Sequence, residues 1–239
     1  MNDLRLGEHI SRQFNEDLEE VRSKVLQMGG LVEEQLVNAV RALVENDSDL
    51  AQRVMKTDAR VNALEVEIDE ECTRIVARRQ PAASDLRLVM AVIKTIADLE
   101  RIGDEVKRVA KMTRDELEGL LDEEIRNELE HMGELVKKML HSVLDAFART
   151  DTHKAVEVAR SDRRVDVKYQ SISRHLMTYM AQDPELIPMI MNVLWAARAM
   201  ERMGDRCENI AEYVIYLVHG KDVRHVTLEE YAPGLVGET

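Results

Sequence analysis

Glu100 and Asp104 stand four residues apart in the stretch from Asp98 to Asp104, and Glu201 and Asp205 repeat that spacing between Ala199 and Asp205. Carboxylates at i and i+4 share one face of a helix, a few ångströms apart. They repel each other unless a cation lies between them, so these residue types point to an oxygen-rich cation site. Each pair has acidic company on a second segment. Asp58, Asn62, Glu65 and Asp69 form a column beside Val61, Leu64 and Ile68, while Asp162 and Asp166 flank Val165 and Ile172. Glu208 and Glu212 extend the pair at Glu201 and Asp205 along the same helix.

The candidate metal ligands are therefore Asp58, Asn62, Glu100 and Asp104 in the first half, and Asp162, Asp166, Glu201, Asp205 and Glu208 in the second. The two stations are unequal. Where the second has Glu208 and Glu212 the first has Lys107 and Lys111, and Asn62 replaces Asp166. Lysine ammonium groups beside the first column compete with a cation, so the second half is expected to bind metal more tightly. Arg101 and Arg202, in the middle of the repeated words, support a rival account in which the columns form ion pairs between helices.

The repeat extends beyond the acidic words. At one constant offset Val92 pairs with Val193, Gly103 with Gly204, Val109 with Ile210 and Ala110 with Ala211. Asp58-Ala-Arg-Val61-Asn62 returns as Asp162-Arg-Arg-Val165-Asp166 at an offset three residues larger. The chain is thus an internal duplication with a small length change between the blocks, near the proline turns at Pro81 and Pro184.

Apolar periodicity supplies the elements that position these residues. A first long helix covers about residues 9–45, with Gly29-Gly30 inside it read as a close helix approach or a mild bend. Asn46 to Asp49 starts a second helix that Gln80-Pro81 ends. Ser84-Asp85 caps a third, running to about Lys111. Thr113 to Glu116 is a capping turn before a fourth helix that includes Leu121 and reaches about Ala148. Thr150-Asp151 caps a fifth helix to Met180; Asp183-Pro184 opens a sixth that stops at Gly220. The fold class is all-α, with six long helices forming two tandem homologous three-helix bundles, at residues 1–113 and 114–220, and a mobile or loosely docked tail at 221–239.

Composition agrees. Among 239 residues, 33% are charged, 45% hydrophobic and only 3% aromatic, a balance that suits amphipathic helices. A formal net charge of −13 argues against nucleic-acid binding. No apolar run approaches the ~18 residues that a membrane-spanning helix needs. The expectation is a soluble cytoplasmic protein with no direct membrane insertion. Cys72 and Cys207 are read as buried reduced thiols.

Other motifs are weak. Glu128-Leu-Glu130-His131 has the Glu-x-x-His form of di-iron bundles, but it has no second copy. Neither a P-loop nor a Gly-x-Gly-x-x-Gly word is present, so no nucleotide is expected. Trp195 falls opposite the motif's apolar side, either covered by another unit or exposed for a partner.

These residues resemble the PhoU family of phosphate-transport system regulators. The resemblance is carried by Met28, Val32-Glu33, the run from Asp58 to Glu65, Arg79-Gln80-Pro81-Ala82 with Asp85-Leu86-Arg87, both Glu-Arg-x-Gly-Asp words, and Asn209-Ile-Ala211-Glu212. It implies a cytoplasmic, often homodimeric, non-enzymatic negative regulator that couples the ATPase subunit of the Pst phosphate transporter to the PhoR histidine kinase. It also implies iron or zinc clusters on Glu100/Asp104, Glu201/Asp205, Asp58/Asn62 and Asp162/Asp166, with Asn62 departing from the acidic pattern. Arg101 and Arg202 are then partner-binding candidates. The alternatives are a metal-dependent enzyme or metal-storage protein using the carboxylate columns, and a purely structural scaffold.

Overall fold

The computed structural model describes residues 12–113 and 122–221, which form six long α-helices. Their bounds are α1 (Arg12–Glu45), α2 (Ser48–Arg79), α3 (Ala83–Met112), α4 (Glu123–Arg149), α5 (Thr152–Gln182) and α6 (Ile187–His219). Asp47, Asp122 and Asp151 cap α2, α4 and α5, their carboxylates accepting from the backbone N–H groups of Leu50, Ile125 and Lys154 at 2.8, 2.8 and 3.1 Å. Three short turns use left-handed residues where no glycine stands: Asn46, Gln80 and Thr150 have φ of 56, 48 and 53°.

Two boundaries differ from the sequence expectation. Helix α3 begins at Ala83 and its N-cap is Ala82, without a side-chain bond, because Asp85 turns into the core instead of capping. Pro184 opens a separate 3-10 turn, Pro184–Leu186, and Pro188 lies in the first turn of α6. Thr113 closes α3, donating its N–H to the Ala110 carbonyl at 3.1 Å. The rest of the expected capping turn at 114–116, Leu121, and the tail beyond 221 lie outside the described residues.

Helices α1, α2 and α3 pack on one another, as do α4, α5 and α6; the two sets join where α3 meets α6 and α1 meets α4. Both joints are antiparallel. Along the first, Arg87 reaches the Leu217 carbonyl, Asp98 meets Tyr213 and Arg206, and Glu105 meets Arg202. Along the second, a Cβ on Gly29 would lie 2.4 Å from Leu144 Cδ2, and one on Gly133 would lie 2.7 Å from Val40 Cγ1. Gly29 stands to Gly133 as Val40 stands to Leu144 in the repeat, so one contact is made twice, as two copies about a two-fold axis would make it. The glycine pair in α1 is thus a close approach at Gly29, whereas Gly30 has nothing within 4 Å of a Cβ.

Fully buried Val21, Val25, Met28 and Leu36 of α1 meet Leu129, Met132 and Leu140 of α4 and their neighbours in one continuous core. Each such side chain contributes roughly 1.5–3 kcal/mol by leaving water. Cys72 and Cys207 are free and buried, and burial pushes the Cys72 thiol up to about 12. Among the described residues, no helix is long and apolar enough to cross a membrane.

The glycines yield a paired test. Gly30→Ala fills open space and gains helix propensity, so urea unfolding should show a rise of ~0.5–1 kcal/mol. Gly133→Ala drives a methyl into the stiff, branched Val40 and should cost ~1–3 kcal/mol.

Candidate metal centre

Helices α5 and α6 lie close because Gly204 has no side chain: a Cβ there would sit 2.6 Å from Asp162 Oδ1. Against this bare stretch Asp162, Asp166 and Asp205 converge, each placing a carboxylate oxygen within 4.8 Å of the other two. Asp162 is buried and its Oδ1 has no hydrogen-bond partner. Asp166 is half-buried and Asp205 exposed, so the group opens to solvent on one side.

The electrostatics are those of a site short of positive charge. Burial, then Glu208, Asp166, Asp205 and Glu201, pushes the Asp162 carboxyl up to about 7. Burial likewise raises Glu201, Asp205 and Glu208 and neighbouring carboxylates add to it, while Arg198 and Arg202 offset part of the rise at Glu201 and, with Arg206, at Asp205. Glu201 stands apart from the trio: one of its oxygens accepts from Arg198 and the other is buried without a partner. Arg198 also lies over the Tyr169 ring, 5.4 Å from its centroid.

The first station is built differently. Asp58 is buried between α2 and α3, in the place Asp162 takes between α5 and α6, and its Oδ2 accepts from Lys107 Nζ at 2.7 Å. Glu65 and Glu100 are raised by burial first, and then by Asp69 for Glu65 and by Asp104 for Glu100. Asn62 and Asp104 are exposed. Among the described residues, only the trio of the second half brings three such ligand atoms together.

Of the arginines of the repeated words, Arg202 crosses the α3–α6 joint and Arg101 pairs within α3. Arg101 lies 3.4 Å from Asp98, and Arg202 lies 3.4 Å from Glu105. The ion pairs of these two arginines therefore run to residues beside the columns, whereas Lys107 on Asp58 and Arg198 on Glu201 do pair with candidate ligands. Asp98, which sequence reasoning passed over, anchors this joint: it is 1% exposed, accepts from Tyr213 Oη at 2.8 Å, and faces Arg206 at 3.5 Å. Lys94 adds its ammonium over the Tyr213 and Tyr216 rings, 5.3 Å from each centroid. The available signal was an aspartate in a core-facing register where the second half has Ala199. Glu128 of the Glu-x-x-His word pairs with His175 Nδ1 at 2.9 Å and accepts from Ser171, whereas His131 is exposed. Trp195 is 49% exposed.

The model of the PhoU domain matches the chain twice, over residues 25–113 and 129–214. The chain belongs to the PhoU domain family. It is 50% identical over 226 residues to the phosphate-specific transport system accessory protein PhoU of Serratia marcescens, covering 95% of this chain and 93% of that one. It is 48% identical over 238 residues to the protein of that name from Escherichia coli (strain K12), covering 100% and 98%. The crystal structure of PhoU from Pseudomonas aeruginosa superposes with a TM-score of 0.83 at 51% identity, covering 87% of this chain and 100% of that chain. Each PhoU match spans one of the two acidic stations, so the stations are equivalent positions of two copies of one domain.

The raised carboxyl of Asp162 carries a pH signature. Its folded pKa of about 7 lies above the ordinary 3.8, so folding favours the protonated form. That contribution to stability is complete at acid pH and is lost as pH climbs through the folded value. In metal-free protein, Asp162→Asn should melt close to wild type near ~pH 4 and several degrees above it near ~pH 8. A melting difference that does not change with pH would contradict this assignment.

Proposed function

We propose that this chain is a non-enzymatic negative regulator of the phosphate-starvation response, a cytoplasmic adaptor that couples the ATPase subunit of the Pst phosphate transporter to the PhoR sensor kinase and modulates phosphate uptake. The observation that carries this reading is the end-to-end likeness, near 50% identity, to proteins named as accessory to the phosphate-specific transport system. An adaptor needs two surfaces and no bond-making chemistry. It transmits a state by binding one form of a partner more tightly than another. The joint between α3 and α6 is the natural element, because it carries both Glu-Arg-x-Gly-Asp words and links the two bundles. Arg101 and Arg202, both exposed on it, are the partner-facing cations.

Metal belongs to this reading at the second station. Asp162, Asp166 and Asp205 would hold a divalent cation or an edge of an iron or zinc cluster, with Glu208 beside them. The unpartnered buried oxygen of Asp162 fits a ligand role, and an all-carboxylate donor set suits a hard cation. When bound, the cation supplies the positive charge that these carboxylates lack, tying α5 to α6.

Co-purification with the transporter ATPase subunit and the kinase tests the adaptor surface. Wild type should retain both partners, and Arg101→Glu/Arg202→Glu should weaken at least one by about tenfold or more. Equal retention would remove the α3–α6 face from the reading. Self-association as a homodimer is the remaining element, supported by Trp195, a large apolar side chain half exposed on α6. Light scattering on the purified full chain should give the mass of a dimer; a monomer at micromolar concentration would eliminate it.

A further inference from the structure

The two copies of the acidic station solve one electrostatic problem with different cations. In both, an aspartate of the earlier helix is buried against the glycine of the Glu-Arg-x-Gly-Asp word: Asp58 Oδ1 lies 3.8 Å from a Cβ on Gly103, and Asp162 Oδ1 lies 2.6 Å from one on Gly204. The position one helical turn beyond each word's aspartate then differs in sign. It is Lys107 in the first copy, with Nζ 2.7 Å from Asp58 Oδ2, and Glu208 in the second. Asn62 removes a further ligand that Asp166 provides in the second copy. The first copy therefore does not fit a metal, although it belongs to the same family domain.

We infer that Lys107 is the built-in cation of the first PhoU copy: its ammonium takes the place that a metal occupies in the second, so the chain carries one metal station. The inference rests on the metal reading of the second station. Its consequence is an asymmetric device. The α2–α3 pair is held by a covalently attached charge and stays closed whatever the metal supply, whereas the α5–α6 pair tightens only when a cation arrives. A regulator built this way senses metal through one bundle and keeps the other as a fixed reference.

Full-length protein stripped with chelator and titrated with Mn2+, the bound metal counted by loss of the free-ion resonance, tests the assignment. Expected stoichiometries are one for wild type, none for Asp205→Asn, one for Asp58→Asn and two for Lys107→Glu. Lys107→Met, which keeps most of the side chain's volume, guards against a Lys107→Glu chain that does not fold. It should melt below wild type without Mn2+ and recover with it. Hydrogen exchange should slow on Mn2+ addition in α5 and α6 of wild type by at least tenfold, and in α2 and α3 only when Lys107 is replaced. Two sites in wild type, a site lost in Asp58→Asn, or no gain in either Lys107 variant would overturn the inference. If wild type binds none while Lys107→Glu binds one, the metal reading of the second station fails and the role of Lys107 stands.

Discussion

Carboxylates wedged between two antiparallel helices must find positive charge or give up their own, and the architecture of this chain turns on how that demand is met. Removing a carboxylate from water is costly, and several of them within a few ångströms compound the cost. Between α2 and α3 the demand is met in part internally, by Lys107 on Asp58 Oδ2, while Asp58 Oδ1 stays buried without a partner. Between α5 and α6 no ammonium or guanidinium of the described residues reaches Asp162: Glu208 stands where the first copy has Lys107, and the Asp162 carboxyl shifts toward neutrality. The apolar core would be well packed with either arrangement, so the acidic stations are where folding stability is given up.

The same need for close approach explains the glycines. Gly204 lets the Asp162 carboxylate reach the backbone of α6, and Gly29 and Gly133 let α1 and α4 cross at short range. These contacts recur in pairs because the two bundles are copies of one domain joined about an approximate two-fold. Where the copies have diverged, the joint has acquired its own chemistry. Asp98, Tyr213, Arg206 and Lys94 form a polar cluster on one side of the α3–α6 contact, and the position equivalent to Asp98 in the other copy is Ala199. The joint between bundles is thus specific at one end, which favours a defined angle between the two units over free rotation.

An adaptor of the kind proposed works through such joints. On the proposed reading, charge delivered to α5 and α6 alters how firmly that pair is held, and the α3–α6 contact links it to the other bundle. The sequence carried much of this. Six helices, their order, the aspartate caps of α2 and α5, the duplication and the inequality of the two stations were legible, because each depends on residues close together in the chain or on a comparison of one half with the other; the Asp122 cap of α4 was not.

What the amino-acid order determined by itself was the helical periodicity, the repeat, and which stretches hold carboxylates at one-turn spacing, since those follow from 3.6 residues per turn and need no partner. It did not determine which carboxylates meet. Of the nine candidate ligands, Asp162, Asp166 and Asp205 converge, Glu201 turns to Arg198, and Asp58 turns to Lys107. Those choices depend on the distance and rotation between helices whose facing residues are some 40–50 positions apart, and on how much water remains beside each group. Nor could spacing separate the two adjoining glycines of α1, because only the approach of α4 makes Gly29 necessary and leaves Gly30 free.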